Sequence, residues 1–277
     1  RDDHVPPAEG RVVHTPAENV TPRLLVQSHG LGELATVFLH EGLEHPLGDR
    51  LGVDTGCDPP GSQLVHRSRV LLAGDDILAD AFIGRLSFDS ITELQTIVAK
   101  ILNYEREPWT GQTGWYDRAL MVGDPGSSGP SVIDTKRQCA AMIEENAPNI
   151  VCEEIYSGSW TYHISNNINS GVSYFNYRGF YGMSGWTNYH INELNNGFMM
   201  PVAVFLTCGV GSYASNFDEA RSEIFLRVGT PTLPQGAVAT IATATTMTHT
   251  CYNNCVDMGI FDGIFVDGIY HLGGALN

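Results

Sequence analysis

The chain has 277 residues, of which 43% are hydrophobic and 17% charged, a composition that excludes a disordered chain and holds one large core or two modest ones. Its formal net charge of −16 argues against nucleic acid and anionic membrane surfaces as partners, because like charges repel, and it fits a secreted protein kept soluble by self-repulsion. No stretch approaches the roughly 18 consecutive apolar residues of a membrane span. The sequence opens on Arg1 with no basic-then-apolar leader, as expected of a processed or fragmentary chain.

The pattern changes near residue 74. Residues 1–73 carry scattered Pro, Gly and His, with short periodic segments at 24–27 and 34–40, and have no assignable role. The segment HEGLEH at 40–45 misses the zinc-peptidase spacing. Its histidines, His40 and His45, are five apart, whereas two ligands on one helical face are four apart. Residues 74–277 alternate strand and helix patterns. Residues 75–86 read as an extended stretch. A helix over 87–106 has apolar residues at 91, 94, 97, 98, 101 and 102, with Asp89 or Ser90 as its N-cap and Glu93 three residues after Ser90 as in a capping box. A short strand at 118–124, a helix at 134–146 and a strand at 149–156 follow. Then come a helix at 161–171, a strand at 172–179 and a brief helix at 190–196. The most apolar strand lies at 200–209, an amphipathic helix at 217–228, a strand at 236–245 and a helix over 254–270. This alternation predicts an α/β fold with a mostly parallel sheet and helices on both faces. Ligands then bind beyond the carboxyl ends of the strands, at 176–183, 207–213 and 245–251.

Six cysteines stand at 57, 139, 152, 208, 251 and 255, too sparse for a disulfide framework. Cys251 and Cys255 share a helical face. With His249 they make three metal ligands, one short of an ordinary structural zinc site. Cys208 ends the apolar strand and is followed by GVGSYAS, whose small residues permit a sharp turn and a close approach of main-chain N–H groups to an oxyanion. Either a nucleophile or a buried strand cysteine fits that placement. The strand end FNYRGFYGMSGW carries three glycines and a lone arginine, and suits backbone donors or merely a tight turn. His249, in TTMTHT, is the histidine of these strand-end loops and lies within plausible reach of Cys208 as a base, or is an ordinary loop histidine.

Six ordered blocks resemble the gingipain family of cysteine peptidases (peptidase family C25). These are IGRLS, the helix ending NYER, ALMVGD, the FNYRG strand end, MPVAVFLTC and GAVATIAT, together covering roughly residues 76–270. The resemblance implies a caspase-like α/β fold and a secreted or cell-surface bacterial endopeptidase acting on protein or peptide substrates. It implies no cofactor for the chemistry, and structural calcium as in some members. It puts the nucleophile at Cys208 and the oxyanion donors at the N–H groups of Cys208 and Gly179. Family members carry the catalytic histidine directly after the glycine of the NYRG block; Phe180 stands here. Either His249 replaces it, or His190 does if the glycine loop folds back, or the protein binds peptides without cutting them. Asp134 is the candidate acidic residue of the specificity pocket, with Asp257 and Asp262 as others. In the family the domain continues past the helix ending near Gly268, so closing elements are expected beyond HLGGALN.

Overall fold

The computed structural model describes residues 23–27, 36–40, 84–213 and 219–276. Cys57, most of HEGLEH, the extended stretch before Gly84 and the start of the 217–228 segment lie outside them. Strands β1 (Arg23–Gln27), β2 (Thr36–His40) and β3 (Gly84–Arg85) form a small antiparallel sheet in that order, with Leu25 opposite Phe38 and Val37 opposite Gly84.

Helix α1 (Ile91–Arg106) starts where the capping box predicts. Ser90 accepts from the Glu93 N–H at 3.2 Å, and the Glu93 carboxylate accepts from the Ser90 N–H. Its buried face differs from the expected stripe. Ile91 and Leu102 are exposed, while Thr96, Ile97 and Lys100 face inward. The Lys100 ammonium reaches the Leu226 carbonyl at 2.7 Å, so a polar tip satisfied by backbone turns the helix away from the purely apolar phase.

The remaining elements alternate. They are β4 (Arg118–Gly123), α2 (Ser131–Asn146), β5 (Val151–Ile155), α3 (Trp160–Asn169), β6 (Tyr174–Tyr181) and α4 (Asn188–Asn192), then β7 (Val202–Cys208), α5 (Arg221–Arg227), β8 (Ala239–Ala242), α6 (Thr250–Phe265) and α7 (Leu272–Leu276). The five strands β4–β8 pair in parallel in the order β5-β4-β6-β7-β8. Alternate side chains go to opposite faces. Leu120, Val122, Phe175 and Phe205 pack with Ile164, Ile168, Ile191 and Phe225 on the α3–α5 side. Ala119, Met121, Val204 and Leu206 pack with Cys139, Ile143, Ile260 and Phe261 on the α2/α6 side. Strands covered on both faces need continuous apolar runs, and all seven residues of β7 are buried.

Most element boundaries differ from the sequence expectation by one to five residues, and three of them bear on the strand ends. The strand at 236–245 shortens to β8, and the residues after it pair instead with the turn that follows β7, Thr243 and Thr245 accepting from the Gly211 and Gly209 N–H groups. The helix expected at 254–270 begins at Thr250, because His249 caps it. The brief helix at 190–196 is instead α4, two residues earlier.

One buried ion pair crosses the α2/α6 side. Lys136 of α2 binds Asp257 of α6, both fully buried, and the Asn176 side chain of β6 joins them, accepting from Lys136 and donating to Asp257 at 2.7 Å. Removing one partner strands a charge in the core. Lys136→Met is therefore expected to lower unfolding stability by about 3–5 kcal/mol in urea titration, and Lys136→Met with Asp257→Leu to recover most of the loss. Lys100 gives a pH signature. Burial lowers its pKa from 10.5 to about 7. Above about 7 the folded chain sheds this proton while the unfolded chain holds it up to 10.5, so this residue makes stability rise with pH across that window. The difference in unfolding free energy between wild type and Lys100→Met should shift in that sense as pH rises.

Candidate active site

Cys208 lies at the carboxyl end of β7, between β6 and β8 in the sheet, and is 8% exposed. Its side chain has the parity of Val204 and Leu206, hence the α2/α6 side. The sulfur is 3.3 Å from Thr248 Oγ1, which also accepts from the Asn253 side-chain amide at 2.8 Å. With one lone pair so occupied, the Thr248 hydroxyl can still donate to sulfur. The loop bringing Thr248 here passes through Met247, at φ +65° and 92% exposed. A left-handed methionine is strained, and such strain gathers at functional loops. Past the thiol, Gly209 turns at φ +79°, a conformation open to glycine, and its N–H is spent on the Thr245 carbonyl.

The neighbouring strand carries a bulge. Arg178 pairs with Leu206 but Tyr181 with Cys208, so three steps on β6 match two on β7. Tyr181, not Phe180, thus stands opposite the thiol, its ring edge 3.2 Å from the point where a Gly209 Cβ would lie. Both aromatics are exposed. Gly179 is required at its position, because a Cβ would sit 2.9 Å from the Tyr177 ring. Tyr177 is in turn tied to Ser184, and Ser184 to Asp124 at the end of β4.

Arg178 was visible in the sequence only as a lone arginine in a glycine-rich segment. Its side chain is 1% exposed and points inward beneath the strand ends. It donates to the Asn254 side chain at 2.8 Å, to the carbonyls of Leu206 at 2.8 Å and Thr250 at 3.2 Å, and to the Gly179 carbonyl. One guanidinium therefore ties together the Gly179 turn, the strand leading to Cys208 and the first turn of α6.

His249 is placed beside Thr248, with its ring exposed near Tyr252. Its Nδ1 accepts from the Cys251 N–H at 3.1 Å, so in the neutral ring the proton sits on Nε2. His249 lines a cavity of about 640 Å³ between α2 and α6, together with Asp134, Asn254, Cys251 and Cys255. The structure thus brings together Asp134 and His249, expected separately, in one pocket. Asp134 is exposed and 3.7 Å from Arg137. Asp257 belongs to the buried ion pair and not to the pocket. Asp262 lies farther along α6. His190 lies on α4, in the layer on the opposite sheet face from Cys208. There its Nδ1 accepts from the Thr187 N–H at 3.1 Å and caps its own helix.

Burial pushes the Cys139 thiol up to about 12, as for an inert core cysteine. Cys251 and Cys255 are exposed, on one face of α6. Among the described residues no group of three or more His, Cys, Asp or Glu is arranged to hold a metal ion. Nor is any described helix long and apolar enough to cross a membrane.

The family described as Peptidase family C25 matches residues 68–277. Gingipain R2 of Porphyromonas gingivalis is 26% identical over 181 residues, covering 62% of this chain and 24% of the relative; gingipain R1 of the same organism is 25% identical over 181 residues, covering 62% of this chain and 18% of the relative. The chain thus spans about a quarter of the length of the first of these relatives. Among solved structures, the Arg-specific cysteine proteinase gingipain R superposes with a TM-score of 0.62 at 21% identity, over 74% of this chain and 54% of that one. The complex of Porphyromonas gingivalis pro- and mature domains gives 0.59 at 24% identity, over 70% and 46%. The parallel sheet clad on both faces is the caspase-like architecture expected from the sequence. With three-quarters of its length matched, the chain belongs to peptidase family C25, a family of cysteine peptidases.

Proposed function

We propose that the protein is a cysteine endopeptidase, secreted or at the cell surface, which hydrolyses peptide bonds through Cys208. The observation that carries this reading is the thiol at the end of β7, 3.3 Å from Thr248, the residue that precedes the exposed His249. The sulfur attacks the scissile carbonyl carbon, the C–N bond breaks as the amine leaves with a proton, and water hydrolyses the thioester to regenerate the thiol. Proton transfer falls to His249. Its cap on α6 must open for the ring to act as a base, at a cost of about 1 kcal/mol for a lost N-cap, which is small beside a catalytic barrier. The N–H groups of Cys208 and Gly179 are the proposed oxyanion donors. Asp134, on the rim of the same cavity as His249, favours a cationic side chain there, so arginyl peptides are the first substrates to try.

A second reading has its own support. Phe180 and Tyr181 occupy the segment where the family carries its histidine, and the His249 Nδ1 is engaged in its cap. A cleft so arranged binds peptide without hydrolysis. Labelling with a peptidyl-arginyl chloromethyl ketone separates the two readings. The expected result is one adduct on Cys208 in the wild type and in His190→Ala, and loss of labelling in His249→Ala. A folded wild-type protein left unlabelled at Cys208 would favour the peptide-binding reading.

A further inference from the structure

Among the described residues the side-chain partner of Cys208 is Thr248, and the other bond that Thr248 makes determines which way its proton points. The Cys208 sulfur lies 3.3 Å from the Thr248 hydroxyl oxygen, a contact in which either atom can donate. A threonine hydroxyl has one proton to give and two lone pairs to accept with. The Asn253 side-chain amide donates to the same oxygen at 2.8 Å and so claims one lone pair. An amide nitrogen accepts nothing, so the hydroxyl proton has no bond to make in that direction. The sulfur is the acceptor left to it among the side chains that Thr248 touches.

Two further observations hold this arrangement in place. Asn253 is 8% exposed in the first turn of α6, and its backbone N–H donates to the His249 carbonyl at 3.1 Å. Helix and preceding loop are thus joined by main chain and side chain together. Thr248 also follows Met247, whose φ of +65° is a strained conformation for any side chain of that size. Such strain persists where the surroundings are tied down, and Thr248 is tied to both the sulfur and the amide.

We infer that Thr248 is a catalytic residue of the proposed reaction, its hydroxyl donating to the Cys208 sulfur, and that Asn253 is the positioning residue that aims it. The inference rests on the proposed function in taking Cys208 as the reactive thiol. A cysteine side chain has three staggered χ1 rotamers, and a partner fixed at 3.3 Å selects one of them. Holding the nucleophile in one direction removes the search among the others before it attacks the carbonyl carbon, an orientational contribution to rate. Thr248 keeps its proton throughout, and transfer to the leaving amine stays with the base.

The direct test is infrared difference spectroscopy of the full chain in the S–H stretching region at about pH 6, where an ordinary thiol is protonated. Subtracting the spectrum of the matching Cys208→Ala protein isolates the Cys208 band in each background. An S–H group that donates absorbs at lower wavenumber than one that does not. The wild-type band is expected at the position of a non-donating thiol, and Thr248→Val should leave it there. In Asn253→Asp the carboxylate takes the Thr248 proton, a lone pair of the hydroxyl is freed and the sulfur donates in turn, so the band should move to lower wavenumber. A band that Asn253→Asp leaves unmoved overturns the inference. So does a wild-type band already lowered, because Asn253 then presents its amide oxygen and Thr248 accepts from sulfur. That wild-type measurement decides alone should Asn253→Asp fail to fold by circular dichroism. In parallel, labelling of Cys208 by the peptidyl-arginyl chloromethyl ketone should be about tenfold slower in Thr248→Val and within about threefold of wild type in Thr248→Ser, which keeps the hydroxyl. Equal rates in Thr248→Val overturn the catalytic role, as does a loss that Thr248→Ser does not rescue. A non-donating wild-type band in a chain that the ketone leaves unlabelled rejects the peptidase reading and retains the aimed hydroxyl.

Discussion

The Lys136–Asp257 pair is the constraint on which the rest of the structure depends. Two opposite charges buried together between α2, α6 and the sheet are tolerable only in one relative placement of those elements, because displacing either strands a charge in an apolar layer. Asn176 fixes the pair to β6, so two helices and a central strand share one reference point. Everything described at the strand ends is built outward from it. Asn254 lies one turn earlier on α6 than Asp257, where it meets both Arg178 and Ser131, and His249 caps the same helix beyond it. The core pair thus helps to set the shape of the strand-end region.

A thiol tolerates rearrangement of its surroundings better than a hydroxyl does. Thiolate formation needs a favourable field, which a guanidinium, an imidazolium or a helix N-terminus can each provide. Proton delivery to the leaving amine is a separate demand, and an imidazole near the cleft meets it only if one of its nitrogens is free. In this chain the proposed base, His249, has its Nδ1 engaged in the cap of α6, while Phe180 and Tyr181 stand at the neighbouring strand end.

Much of the fold was legible in the sequence. Strand–helix alternation with apolar runs such as 202–208 dictates a covered parallel sheet, and the capping spacing of Ser90 and Glu93, one of two N-cap options, is the one the structure uses for α1. Cys208 and His249 were singled out because strand ends collect function in this architecture, whereas Asp134 was named only from the family resemblance and its shared pocket with His249 came from the structure. What sequence could not give depends on burial and on register. The inward turn of Lys100 and the buried pairing of Asp257 arise from tertiary partners 126 and 121 residues away. The bulge that places Tyr181 opposite Cys208 adds one residue to a strand and leaves no compositional trace. Arg178 stood out as a lone arginine, but only the structure reveals that it is buried and bound by four neutral acceptors.

Cleavage itself tests the central claim most directly. A proteome-derived peptide library incubated with the protein, with new termini read by mass spectrometry, should show cuts made by the wild type and absent with Cys208→Ala, clustered after basic residues. Identical peptide populations from the two proteins, both folded, would contradict the claim that Cys208 of this family C25 chain is a working nucleophile.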